Sequence, residues 1–256
     1  TLNGALSGPG FTKTGDGTLT LGGSTSGNIA VNGGTLAVSS TGSLSGTTVT
    51  IGSGAGFKYN GTSAFTGTLV NNGGTISGSG ALNIDLALNS LADHVAPGNS
   101  PGIQTFGADQ NWSAFTYDWE TNNFTGTTAG TDFDKIAITG SLTLNSSNAY
   151  QFNVLSLDAG NASAAVPNFS ETTTSWTVAS TTTGITGFNA TNWTVDASNF
   201  LNADTGTWSL ALGNSNNDLI LTYTAIPEPS AYAALVGLGI VGFVAYRRRR
   251  TAKQAA

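Results

Sequence analysis

The sequence predicts an all-β fold: a β-solenoid, then a β-rich continuation or cap, then one C-terminal transmembrane helix. Three observations carry this expectation. Short apolar alternations divided by Gly, Ser, Thr and Asn recur from Phe11 to Leu88. No helical periodicity of any length appears before residue 230. The uncharged run Ala231 to Tyr246 is then followed directly by four arginines.

Composition narrows the class further. Of 256 residues, 35 are Gly and only 9% are charged, against about 25% in an ordinary soluble domain. Hydrophobic residues make up 39%, enough to build a core, so low charge here does not mean disorder. The absence of Cys excludes disulfides, thiolate metal sites and Cys nucleophiles. A single His, His94, leaves little room for a Ser-His-Asp hydrolase. The net charge of −6 is also segregated: three lysines face 14 acids in the chain up to Ser230, giving −11, while the last ten residues carry +5. A body of that sign repels phosphate backbones, so nucleic acid is not an expected partner.

The strands follow in order. Gly17-Thr-Leu-Thr-Leu21, Gly34-Thr-Leu-Ala-Val38, Thr48-Val-Thr-Ile51 and Gly67-Thr-Leu-Val70 each alternate with period two. Asn32-Gly-Gly-Thr-Leu36 returns 40 positions later as Asn72-Gly-Gly-Thr-Ile76. Regular short strands with Gly at the corners predict coils stacked one on another, with inward apolar residues forming a continuous core. Low charge suits such a stack, because like residues lie over one another and like charges would repel along the axis.

The stretch Phe11 to Leu21, followed by Val31 to Val38, resembles the autotransporter-associated β-strand repeat. Val95-Ala-Pro-Gly-Asn-Ser-Pro-Gly-Ile103 resembles the turn that closes such repeats. The resemblance covers residues 1–103 and implies a right-handed parallel β-helix forming a stalk or adhesive surface. Residues 104–225 are expected to continue or cap it, with strand candidates at Lys135–Ile138, Ser141–Leu144, Tyr150–Val154, Ser175–Val178 and Leu219–Tyr223. Terminal coils must protect an open sheet end from edge-to-edge pairing. The aromatics of this segment, Trp112, Tyr117, Trp119, Trp176, Trp193 and Trp208, read as core; an exposed sugar-stacking platform is the sharper alternative.

Little chemistry is legible in the body. Residues 17 to 84 contain no acid and only Lys58 as a base, so catalysis is not expected on the stalk. Asp118, Glu120, Asp132 and Asp134 gather further on, and Asp132-Phe-Asp134 offers oxygens of the kind Ca²⁺ takes. It lacks the Gly and distal Glu of an EF-hand loop, and a solvated turn leading into Lys135–Ile138 is the expectation. His94 beside Asp93 is expected as an isolated pair in a loop. No catalytic residue, cofactor or metal site is assigned.

The tail, residues 226–256, is the informative part. Ile226-Pro227-Glu228-Pro229-Ser230 holds two prolines around a Glu, which keeps the segment extended and accessible to a protease. A helix over residues 231–246 spans about 24 Å, short of the ~30 Å hydrocarbon core, a mismatch that snorkelling arginines absorb. Arg247, Arg248, Arg249 and Arg250 then place the tail in the cytoplasm. Gly237-Leu-Gly239-Ile-Val-Gly242 mimics a dinucleotide fingerprint, but the βαβ unit that motif requires has no room to follow.

Pro-Glu-Pro, apolar helix and Arg-rich tail, in that order, resemble a PEP-CTERM sorting signal. The resemblance implies cleavage near Pro227–Pro229 by an exosortase, after a transient stay in the inner membrane of a Gram-negative-type bacterium. The product is expected at the cell surface or in an extracellular, biofilm-type matrix, with exopolysaccharide or identical chains as further partners. The expected function is non-enzymatic, structural or adhesive. The alternative is a carbohydrate-binding module or an enzyme acting on the matrix polysaccharide.

Overall fold

Leu19, Leu36, Phe57, Ile76, Val95, Tyr117, Phe152 and Val195 form one column of side chains, each paired with the next across adjacent parallel strands. The computed structural model describes residues 1–226, Leu238 and 240–244. Each step along the column is one turn of the chain. The first five turns take between 17 (Leu19 to Leu36) and 22 (Val95 to Tyr117) residues. Tyr117 to Phe152 then takes 35, and Phe152 to Val195 takes 43. The six central members are essentially inaccessible to solvent. These parallel sheets are consistent with a β-helix.

The strands form for the reason the alternation suggests. Thr48–Ile51, Gly56–Tyr59 and Ile103–Phe106 each run half-buried, buried, half-buried, buried, which a pleated strand with one face on a core produces. A second face stacks Phe11, Ile29, Val49 and Leu69. A third joins Phe65 to Leu82, Leu82 to Phe106 and Phe106 to Ile138. The apolar residues of all three faces meet inside, and no helix is needed to cover them.

The corners explain the recurrence of Asn-Gly-Gly-Thr. Val31 pairs with Ile51, and Ile51 with Asn71. The next residues, Asn32, Gly52 and Asn72, donate their amides to Lys13, Val31 and Ile51 carbonyls at 2.8, 2.8 and 2.9 Å. Forty residues are therefore two turns, and the intervening turn passes the same corner as Gly52-Ser-Gly-Ala-Gly56. Gly34 has φ +59°, and a Cβ there would lie 2.4 Å from the Gly17 carbonyl oxygen of the coil before, so only Gly fits. Lys13 occupies the inward position stacked on Val31. Its ammonium donates to the carbonyls of Thr14 (3.0 Å), Gly15 (2.6 Å) and Gly33 (2.9 Å).

Beyond residue 103 the same sheets run on. Ile103–Phe106 pairs with Lys135–Ile138, and Gln110–Thr121 with Tyr150–Ser156. The longer turns bulge out as excursions over 122–134 and 157–173. The parallel order ends where Thr174–Thr181 meets Asp218–Thr224 antiparallel, which in turn pairs antiparallel with Thr207–Gly213. Trp112, Trp119, Trp176 and Trp193 are buried, and half-buried Trp208 stacks on Trp176 with centroids 5.8 Å apart. The aromatic segment is packed core, and the sugar-stacking platform is not formed by these rings.

Leu238 and residues 240–244 are helical and exposed. The remainder of the helix expected over 231–246 lies outside the described residues. Among the described residues no helix is long and apolar enough to cross a membrane.

Leu36→Ala, which opens a fully buried step of the column, is expected to destabilise the fold by about 2–5 kcal/mol. Thr20→Ala on the outer surface of the same sheet should cost about 0.5 kcal/mol or less. Urea unfolding followed by circular dichroism checks both.

Candidate functional site

The acidic residues sort themselves by partner. Asp85 accepts the Asn111 amide at 3.0 Å, and Asp109 that of Ser141 at 2.7 Å, each reaching across to the following coil. Asp93, buried, accepts from Gly73 (2.8 Å), Asn89 (3.0 Å) and Ser90 (3.1 Å) amides. Asp158 accepts from Gly160 and Ala162 amides at 2.8 and 3.0 Å. These carboxylates replace backbone acceptors that a turning chain leaves missing. Their clustering in sequence is the clustering of corners.

Asp132 and Asp134 behave likewise and correct the expected solvated turn. Asp132 accepts from the Thr128 amide at 2.9 Å. Asp134 is fully buried and accepts from the Gly102 amide at 2.6 Å and the Glu120 amide at 3.1 Å, tying the turn after Pro97 to the next coil. Burial pushes its carboxyl well above the usual range, and the charge of Glu120 adds to this.

Asp118, Glu120 and His94 differ from these, and they stand together on the outer surface of the long sheet. His94 is not in a loop; it lies on strand Leu88–Pro97 with Val95 pointing inward beside it. Its partner is not Asp93 but Asp118, 24 residues on and one coil away, with Nδ1 2.6 Å from Oδ2. The other Asp118 oxygen accepts from Asn153 Nδ2 at 2.7 Å, and Asn153 Oδ1 accepts from Gln151 at 3.0 Å. Four side chains on three adjacent strands are thus locked in one hydrogen-bonded row.

The Asp118 hydrogen bond raises the His94 pKa, against an opposing effect of partial burial. Burial also raises the Glu120 carboxyl, with Asp118 adding to the rise and Ser100 and Lys58 opposing it. Beside His94, its strand neighbour Thr75 borders a shallow groove of about 220 Å³ floored by Gly34, Gly54 and Gly56. The arrangement offers an imidazole whose protonated form Asp118 favours, on a surface open to polar ligands. Sequence reasoning missed it because one turn of the chain separates its members; the near-20-residue pitch was the available signal.

The assigned sorting residues all fall outside the described residues. Described chain leaves the body at exposed Ile226, and Pro227, Glu228, Pro229, Arg247, Arg248, Arg249 and Arg250 lie outside the described residues.

The ionisable groups set a direction for stability against pH. His94, raised above 6.5, contributes stability that is complete below that value and lost as pH rises through its folded pKa. Glu120 and Asp134, both raised, also favour the folded state less as pH climbs past the ordinary carboxylate range. Asp109 and Asp196 are lowered by hydrogen bonds from Ser141 and Ser198, so their contribution disappears only below the ordinary 3.8. The urea midpoint should therefore be higher at pH 5 than at pH 8. Asp118→Asn should bring the His94 imidazole titration, followed by NMR, down toward 6.5 and flatten that slope.

The family described as the PEP-CTERM protein-sorting motif matches residues 225–250, a span containing the Pro-Glu-Pro segment, the apolar run and all four arginines. A search of curated proteins finds no match. The chain carries a PEP-CTERM sorting motif, the mark of an exported protein sorted by an exosortase-type enzyme.

Proposed function

We propose that this protein is a non-enzymatic structural or adhesive component of the bacterial cell surface or extracellular matrix. In this reading an exosortase releases it from a transient inner-membrane intermediate. The sorting motif at residues 225–250, attached to a stacked β body, is the observation that carries the proposal. Pro227-Glu228-Pro229 serves as the extended segment offered to the processing enzyme, residues 231–246 as the membrane span, and Arg247–Arg250 as the cytoplasmic stop. The body suits a matrix role. Its core is continuous from Leu21 to Tyr223, its outer surface is mostly small and hydroxylated, and residues 1–103 resemble repeats of the autotransporter type.

Mass spectrometry of the protein recovered from the cell surface tests the sorting step. The expected C-terminus lies near Pro227–Ser230, and a surface form intact through Ala256 contradicts the proposal. Replacing Arg247–Arg250 together by Gln should reduce the surface form and shift the protein between cell fractions. An unchanged surface yield contradicts the role given to that cluster.

A further inference from the structure

The corner tetrapeptide Asn-Gly-Gly-Thr occurs as Asn32–Thr35 and again, two turns on, as Asn72–Thr75. The two copies are equal in sequence and opposite in electrostatic surroundings. At the first, the Lys13 ammonium donates to the Gly33 carbonyl at 2.9 Å. At the second, the Asp93 carboxylate accepts the Gly73 N–H at 2.8 Å. We propose that Asn32-Gly33 is a site of spontaneous deamidation assisted by Lys13, and that Asp93 protects Asn72-Gly73 from the same reaction. This modification site goes beyond the sorting and matrix role and does not depend on the tail.

The chemistry is an internal displacement. The Gly33 amide gives its proton to hydroxide, and its nitrogen attacks the side-chain carbonyl carbon of Asn32, Cγ. An N–Cγ bond forms, the Cγ–Nδ2 bond breaks, and ammonia leaves with a proton from water, closing a cyclic imide. Water then opens the ring. Cleavage at Cγ leaves aspartate, and cleavage at the Asn32 main-chain carbonyl leaves isoaspartate. A glycine after the Asn hinders the attack least, because it has no Cβ.

Three observations point to Asn32. Its side chain is exposed and makes no hydrogen bond among the described residues, so Cγ is free to swing onto the nitrogen. The Gly33 N–H has no acceptor among the described residues either. The reaction needs that amide as an anion, and an ammonium bonded to the carbonyl of the same residue favours the anion by charge. Lys13 is buried, where water screens that charge less.

At Asn72 the amide is already committed. Removing the Gly73 proton beside Asp93 would set two negative charges against each other. Asp93 is fixed in turn by the Asn89 and Ser90 amides, so it does not swing aside. The other Asn-Gly pairs differ from both. Asn60 Oδ1 accepts from the Ser79 N–H at 2.9 Å and hydroxyl at 3.2 Å, which anchors that side chain. Asn3-Gly4 lies in the first turn, apart from the Lys13 hydrogen bonds. Conversion of Asn32 adds one negative charge to a corner that has none of its own.

Incubating the full chain in detergent micelles at mildly alkaline pH, with peptide mapping by tandem mass spectrometry, tests the proposal. Asn32 should convert at least about tenfold faster than Asn72, the factor that one pH unit of change in amide acidity carries. In urea the two tetrapeptides lose their surroundings, and the rates should converge. Lys13→Met should slow Asn32 by a similar factor; a corner loosened by the substitution would speed it, so slowing does not come from damage. Asp93→Asn should speed Asn72, with an unchanged rate at Asn60 as the gauge of an intact fold. Asn32 converting no faster than Asn72 in the folded chain overturns the proposal. So does an unchanged or faster Asn32 in Lys13→Met, or an unchanged Asn72 in Asp93→Asn. A difference that persists in urea belongs to local sequence and overturns it as well.

Discussion

Backbone hydrogen bonding between one coil and the next is the constraint on which the rest of this structure depends. Parallel strands bond at a fixed lateral spacing, so each turn must lie directly over the one before. That puts equivalent residues into columns, Leu36 on Phe57 on Ile76, and makes the core a line of stacked side chains in place of a centre. It also fixes what each position tolerates. Most inward residues are apolar, and Lys13 and Gln110 bring their own partners. The buried Gln110 amide accepts from Leu86 N–H at 3.0 Å and donates to the Ile84 carbonyl at 2.7 Å.

Corners are where that bonding is interrupted, and they absorb most of the acidic charge. A chain that turns three times per coil leaves amides without strand partners, and a carboxylate supplies the acceptor they lack. Asp85, Asp93, Asp109 and Asp134 all act this way across neighbouring coils. Strong acidity and scarce ion pairs are thus two faces of one design. Against that background, the His94–Asp118 row stands out because capping a turn does not explain it.

Period-two alternation is local, so the strands Thr18–Leu21, Thr35–Val38 and Thr48–Ile51 were legible from sequence, as was the burial of the tryptophans. The recurrence at Asn32 and Asn72 was legible too, but it gave twice the true pitch because Gly52 stands at the intervening corner. Contacts across coils were not legible. His94 lies beside Asp93 in sequence, yet strand alternation sends the two to opposite sides, and the partner arrives 24 residues later. Turn lengths that vary from 17 to 43 residues hide such pairings until the register is known. The tail is the opposite case: its three parts are contiguous, and their order alone identified the sorting motif.

The stacked body is the central claim, and the absence of native Cys makes it directly measurable. Thr20, Ala37, Lys58, Ser77 and Ala96 form one outward row, each paired with the next. Spin labels on Thr20→Cys and Ala96→Cys, in one otherwise unaltered chain, report its length by double electron–electron resonance. Four parallel spacings of about 4.8 Å predict a narrow distribution for backbones roughly 19 Å apart. A broad distribution, or a mean beyond about 30 Å for residues set at that spacing, contradicts the stack.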